Sequence, residues 1–206
     1  MSSGQRRTER AAATRRAILD AARRLFVERG YFHTGTEDIV AAAAVGTRGA
    51  LYHHFADKEA LFLAVVHDVQ ASLGEAIATR ASGSDPLERL ASTMGAFLDF
   101  AGERGDVQQI LLIDGPAVLG WDAWRSMEAD YGLDAIETML RDAVDAGVVE
   151  DQPLRPLAHL ILALVDEAAL YIANALEPSA ARVEVGASID RLLAGLRRRD
   201  ARARRR

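Results

Sequence analysis

Arg48, Tyr52, His53, His54 and Lys58 bring five side-chain hydrogen-bond donors together within eleven residues. Thr36 and Thr47 add hydroxyls at positions that can open helices. Donors this dense suit an acceptor-rich polyanion. A guanidinium can bond guanine O6 and N7, while hydroxyls, imidazoles and an ammonium can hold phosphate oxygens. Gly49 leaves no side chain where a helix backbone could approach bases. Arg6, Arg7, Arg10, Arg15 and Arg16 form a basic arm just before this cluster. The alternatives are poorer. Adjacent helical positions such as His53 and His54 point about 100° apart and chelate badly, so no metal is expected. The chain has no cysteine, which excludes disulfides, thiolate-held metal and a thiol nucleophile. No Ser/His/Asp arrangement is legible, no cofactor is expected, and the expectation is that the protein is not an enzyme. Asp114-Gly115-Pro116 reads as a helix break, not a nucleotide loop.

Short helices must position these donors. Thr36 can cap a helix to about Ala44, with Glu37 and Asp38 at its positive N-terminal end. A turn at Val45-Gly46 leads to a second helix, capped by Thr47 and ending near His54. Two short helices joined by a tight glycine-containing turn have the dimensions of a helix-turn-helix. Leu51 and Phe55, four apart, would anchor the second helix. Ahead of them a helix from about Thr8 to Arg29 carries Ile18, Ala22, Leu25 and Phe26 on one face, and Gly30 ends it.

The rest of the chain also reads as helix. Asp57 caps a helix striped with Leu61, Phe62, Val65, Val66, Val69, Leu73 and Ile77. Asp85-Pro86-Leu87-Glu88 has a cap, a proline in the first turn and a glutamate three residues after the cap. Further helices are expected over Val107–Ile113, ended by Gly115-Pro116, and over Asp122–Ala146, Leu154–Leu176, where Pro178 stops it, and Ser179–Arg199. The fold class is therefore all-α with about nine helices: a three-helix helix-turn-helix domain over 1–60, a larger helical domain over 61–199, and a basic disordered tail over 200–206.

Charge is distributed to match. The 206 residues carry a net −5, but residues 1–60 have ten Arg/Lys and seven Asp/Glu, a net +3. Residues 61–196 have a net of −14 and residues 197–206 a net of +6. A basic head on an acidic body implies that only the head meets a polyanion. The polar N-terminus lacks the apolar core of a secretory signal, and Asp166 and Glu167 break the most apolar stretch, so a soluble, cytoplasmic protein with no membrane partner is expected.

Two groups of apolar residues are left. Trp121, Trp124, Met127 and Tyr131 gather at one helix start in a chain with few aromatics; they are either core or, with Phe97, Phe100 and Leu111, the wall of an effector pocket. The last two long helices are apolar over a wider arc than one core contact requires. Leu157, Leu160, Ile161, Leu164 and Ala168 on one, with Ile189, Leu192, Leu193 and Leu196 on the other, are best accounted for by a second subunit.

The run Thr47-Arg48-Gly49-Ala50-Leu51-Tyr52-His53-His54-Phe55, followed by Asp57-Lys58-Glu59-Ala60-Leu61-Phe62 and preceded by Gly30-Tyr31, closely resembles the DNA-binding domain of TetR/AcrR-family transcriptional regulators. The close likeness covers about residues 10–65. It implies DNA contacts at Thr36, Thr47, Arg48, Gly49, Tyr52, His53, His54 and Lys58. It also implies a small, often hydrophobic effector held by the larger domain and a homodimer built on the last two helices. The expected function is a repressor that binds a palindromic operator in double-stranded DNA and is released by that effector. A small-molecule carrier or helical enzyme that kept the head, or an activator or nucleoid-type binder, is the alternative. One departure stands out: between Ile39 and Tyr52 there is one residue more than the family pattern. Either the turn is longer or Val40 takes the isoleucine's place in the core.

Overall fold

The computed structural model describes residues 3–198. Within them lie α1 (Ser3–Arg29), α2 (Thr36–Ala43), α3 (Arg48–His54), α4 (Lys58–Arg80), α5 (Pro86–Glu103), α6 (Gly115–Leu119), α7 (Trp121–Glu128), α8 (Asp134–Asp145), α9 (Leu154–Ala173) and α10 (Pro178–Ala194). Two π-helical segments, Val107–Asp114 and Ala129–Leu133, are continuous with their neighbours. Joining the unbroken runs 107–119 and 121–145 gives nine helical rods among the described residues. The fold is all-α; the only strand-like pairing among them is a bridge between Val149 and Arg197.

The sequence places most helices correctly and several ends incorrectly. α1 begins at Ser3, a turn and more before Thr8, so the basic arm is itself helical. Gly115-Pro116 does not end a helix. Pro116 comes directly after the π-helical segment, whose wider turn accommodates it, and the helical run continues to Leu119. Pro178 likewise opens α10, while α9 already ends at Ala173. The expected basic tail over 200–206 lies outside the described residues.

The chain forms two compact units. One holds the residues up to Ala71 together with Gly105–Asp122; the other holds Ser72–Arg104 and the chain from Ala123 onward. The first unit thus recruits 105–122, which the sequence reading assigned to the larger domain. Its core is Ile18, Ala22, Leu25 and Phe26 of α1, Ile39, Leu51, Phe55, and Leu61, Phe62, Val65, Val66 and Val69 of α4, all buried. Phe26, Tyr31 and Phe62 form an aromatic cluster with centroids 5.0–5.6 Å apart. The π-helical segment Val107–Asp114 packs on α1. Arg23 of α1 ties it down, donating to Asp106 and, at 3.0 Å, to Asp68 of α4.

In the second unit α5, α8, α9 and α10 pack on one another. Leu90, Met94, Leu98, Leu140, Ile161, Val165, Ile172, Ile189 and Leu193 fill its core. Asp85 caps α5 by accepting from the N–H groups of Leu87 and Glu88 at 2.9 and 3.0 Å. Arg182 of α10 reaches across to Asp99 at 2.7 Å and to the carbonyl of Gly95 at 3.0 Å. α4 and α9 are long and apolar enough to cross a membrane, which the sequence reading did not expect; core helices meet the same criteria. Here α4 buries Leu61, Phe62, Val65, Val66, Val69 and Leu73, and α9 buries Ile161, Leu162, Val165 and Ile172.

Candidate nucleic-acid interface

Thr47 and Phe55 frame the second helix of the motif. The Thr47 hydroxyl accepts from Ala50 N–H at 3.3 Å, and the Phe55 N–H closes the last turn on Leu51 O at 3.0 Å. Leu51 and Phe55 are buried, as expected of anchors. Their burial fixes the opposite face outward: Arg48, Tyr52 and His53 are exposed and His54 half-buried.

The turn into this helix has an unusual backbone. Ala44 adopts a left-handed conformation (φ 53°), and its N–H and that of Val45 return to Ala41 O and Val40 O. Gly46 follows at φ 82°. Ile39 is fully buried and Val40 only half-buried. Of the two alternatives, then, the turn is longer, and the isoleucine keeps its core place.

A polar constellation joins the two helices. Arg48 Nη1 donates to Glu37 Oε1 at 2.9 Å, and the guanidinium carbon lies 6.0 Å from the centre of the Tyr52 ring. The neighbouring Arg48 guanidinium first, and then Thr36, hold the Tyr52 phenol below its ordinary pKa. Glu37, Arg48 and Tyr52 are therefore neighbours on one exposed face. Beside it is a concavity lined by Glu37, Val40, Ala41, Ala44, Gly46, Thr47 and Arg48. Glu37 is the participant the sequence reading treated only as a helix-end charge. A Cβ added at Gly49 would meet only the Thr47 hydroxyl, at an ordinary 3.6 Å. The fold itself leaves room for a side chain there.

Two expected donors are partly committed elsewhere. Lys58 Nζ donates to Tyr31 O at 2.6 Å and lies 3.9 Å from the centre of the Tyr31 ring. Burial lowers its pKa, opposed by the Asp114 charge. One of its three N–H groups is thus spent on the α1–α2 loop. Within the basic arm, Arg16 pairs with Asp20 and Asp68 at 3.0 and 2.7 Å, and Arg15 lies over the Phe55 ring. Arg6, Arg7 and Arg10 remain exposed. His54 is held below the ordinary histidine value by burial and then by His53 and Arg15.

Asp114 was not anticipated as part of this region. Its buried carboxylate accepts from Tyr31 N–H at 2.8 Å and Gln109 Nε2 at 3.1 Å. With Lys58 on the carbonyl and Asp114 on the N–H, Tyr31 is gripped at both of its backbone polar groups. A lone carboxylate directly after the apolar run 110–113 was the available signal.

The other expected residues separate. Leu111 and Trp121 belong to the first unit, the former buried and the latter 64% exposed. Phe97, Phe100, Trp124, Met127 and Tyr131 belong to the second, where Trp124, Met127 and Phe100 are buried and Tyr131 is exposed. The Phe100 ring lies 3.9 Å below the Arg80 guanidinium. Of the expected dimer residues, Leu160 and Leu192 are exposed and Leu157, Leu164 and Leu196 half-buried. Ile161, Ala168, Ile189 and Leu193 are already buried within their own unit. Tyr171, Leu176 and Val183 are exposed apolar residues that the sequence reading did not single out.

Residues 18–65 match the family described as bacterial regulatory proteins of the tetR family, and residues 87–196 match the tetracyclin repressor-like C-terminal domain. The crystal structure of a TetR-family transcriptional regulator from Pectobacterium atrosepticum is similar over 97% of this chain and 99% of that one, at 32% identity and a TM-score of 0.76. An HTH-type transcriptional repressor of Mycobacterium tuberculosis is 35% identical over 117 residues; the match spans 57% of this chain and 60% of that protein's length. The structure of AibR in complex with isovaleryl coenzyme A and operator DNA is 25% identical, with a TM-score of 0.63, over 89% of this chain and 97% of that one.

Proposed function

Since the chain belongs to the TetR family of bacterial regulatory proteins, we propose that it is a transcriptional repressor that binds a palindromic operator as a homodimer and lets go when a small hydrophobic effector binds. It is a regulator and not an enzyme, as its relatives are. It works in the cytoplasm, on double-stranded DNA.

The observation that carries the DNA reading is the two-sidedness of α3. Leu51 and Phe55 are buried, and Arg48, Tyr52 and His53 are presented on the other side. Arg48 stands at the helix N-terminus, the end that enters the major groove in helix-turn-helix proteins. It donates to guanine O6 and N7. Gly49 lets the backbone come close to the bases. Tyr52, His53, His54, Thr36, Thr47 and a free N–H of Lys58 bond phosphates, and so fix register without reading sequence. Exposed Arg6, Arg7 and Arg10 add counter-charge along the duplex. Two such heads reach successive major grooves about 34–36 Å apart.

The second unit holds the effector. Phe97, Phe100, Trp124, Met127 and Tyr131 supply apolar surface there, and the π-helical segment that contains Tyr131 is the kind of irregularity often found at binding sites. AibR, a structural relative, was crystallised with isovaleryl coenzyme A, which makes acyl thioesters the first compounds to try. Any effector releases DNA only through unequal affinity for the two states of the protein.

Footprinting on the gene's own upstream region, with and without acyl thioesters, tests the repressor reading. Arg48→Ala is expected to cost about 1–3 kcal/mol on the footprinted site and to flatten discrimination at one base pair. Unchanged discrimination would remove Arg48 from base reading.

A further inference from the structure

Glu37 is an acidic side chain on a face whose other polar groups suit a polyanion. It is the second residue of α2 and largely exposed, and its Oε1 lies 2.9 Å from Arg48 Nη1. A surface ion pair of this kind contributes little to stability, so its placement calls for another account. The Tyr52 ring centre lies 6.0 Å from the guanidinium carbon. A donor and an acceptor are thereby presented side by side, next to the concavity between α2 and α3.

The major-groove edge of a G·C pair has a matching order. Guanine offers N7 and O6 as acceptors, and cytosine offers its N4 amino group as a donor. O6 and N4 are hydrogen-bonded to each other within the pair, so a donor and an acceptor already at hydrogen-bond distance fit that edge in spacing as well as in sign. We propose that Glu37 is a specificity-determining residue: with Arg48 on guanine, its carboxylate accepts the groove-facing N4–H of the paired cytosine. The inference rests on the base-reading role of Arg48. It fixes an order of preference at one operator position. G·C ranks first. T·A follows, because thymine O4 accepts and adenine N6 donates but only one acceptor meets the guanidinium. A·T and C·G come last, since each turns an acceptor toward the carboxylate. A carboxylate near phosphates also repels DNA, so the pair exchanges overall affinity for discrimination.

The test takes the full chain and an operator obtained by selection from randomised duplexes. Affinities are measured for all four base pairs at the position flattened by Arg48→Ala, with wild type, Glu37→Gln and Glu37→Ala. A fifth duplex carries N4-methylcytosine there, which replaces the groove-facing hydrogen and leaves guanine untouched. Wild type is expected to show the stated order and to lose about tenfold on N4-methylcytosine. Glu37→Ala should bind more tightly overall, raise A·T and C·G about tenfold relative to G·C, and ignore the methyl group; Glu37→Gln should relax the order without the full gain in affinity. If Glu37→Ala strengthens all sequences equally, the residue is only an electrostatic brake and the inference falls alone. If Arg48→Ala leaves every base pair as it was, the reading of Arg48 falls and takes the inference with it.

Discussion

A side chain that grips a polyanion must be ready without being spent, and the neighbours of each residue decide which it is. Arg16, in two ion pairs, is committed to the fold; Arg6, Arg7 and Arg10 are exposed. His54 lies between these cases. Burial and the charges of His53 and Arg15 hold it below the ordinary histidine value, so near neutral pH it is uncharged. The unfolded chain takes up this proton at its ordinary pKa while the folded chain resists, so the contribution to stability falls as pH drops through about 6.5. A nearby phosphate has the opposite effect: it favours the imidazolium, so operator affinity rises over the same window. His54→Gln is therefore expected to weaken both dependences, read as melting temperature and operator affinity from about pH 7.5 to about pH 5.5. Equal slopes in the two proteins would remove His54 from both roles. Asp114 is committed wholly to the fold. Asp114→Ala strands the Tyr31 N–H and the Gln109 amide and should cost about 1–3 kcal/mol in urea unfolding. Asp114→Asn, whose amide oxygen can still accept from Tyr31, should cost less. If the two variants cost the same, the carboxylate's hydrogen bond to Tyr31 is not what holds it there.

At the scale of elements, the approach to α3 is where local chemistry matters most. The left-handed pair Ala44 and Gly46, either side of Val45, takes up the extra residue and lets Ile39 and Leu51 both stay buried. Alanine tolerates that conformation poorly and glycine well. Ala44→Gly should stabilise the protein by up to about 1 kcal/mol, and Gly46→Ala should cost about 1–2 kcal/mol even though an added Cβ would meet nothing within 4 Å. Urea midpoints check both; a neutral Gly46→Ala would mean that the turn relaxes. Helix existence was legible because caps and apolar stripes are local: Thr47, Asp85, and the stripe from Leu61 to Leu73 all behave as their types and spacing require. What stayed hidden depends on partners distant in sequence. Pro116 and Pro178 read as stops, yet Pro178 opens a helix, where its missing N–H is harmless, and Pro116 follows a π-helical turn within a continuing run. The Glu37–Arg48 pair spans eleven residues and the Asp114–Tyr31 bond eighty-three, and neither leaves a local pattern.

At the scale of the whole molecule, the apolar surplus on the last helices divides in two once the fold is known. Sequence period alone could not separate the half that packs inward from the half that is left over. Ile161, Ala168, Ile189 and Leu193 are consumed by the second unit's own core, so they cannot also serve a partner without unfolding it. Leu160 and Leu192, with Tyr171, Leu176 and Val183, remain exposed, more bulky apolar surface than isolated residues explain. A second copy of the chain would bury it, and a two-fold axis would use the same patch twice. Dimerisation also bears on DNA affinity, because the second head then binds its half-site as an intramolecular event, a gain of about 10²–10⁴ in typical linked modules. Leu160→Glu combined with Leu192→Glu alters only exposed positions, so the helical circular dichroism should be retained. Light scattering should give the mass of one chain, 22.3 kDa, and operator affinity should fall by about a hundredfold or more. Ile161→Glu should instead lose the fold, which separates a surface effect from a core one. If the double variant runs at twice that mass, the interface lies elsewhere, and the exposed leucines need another partner.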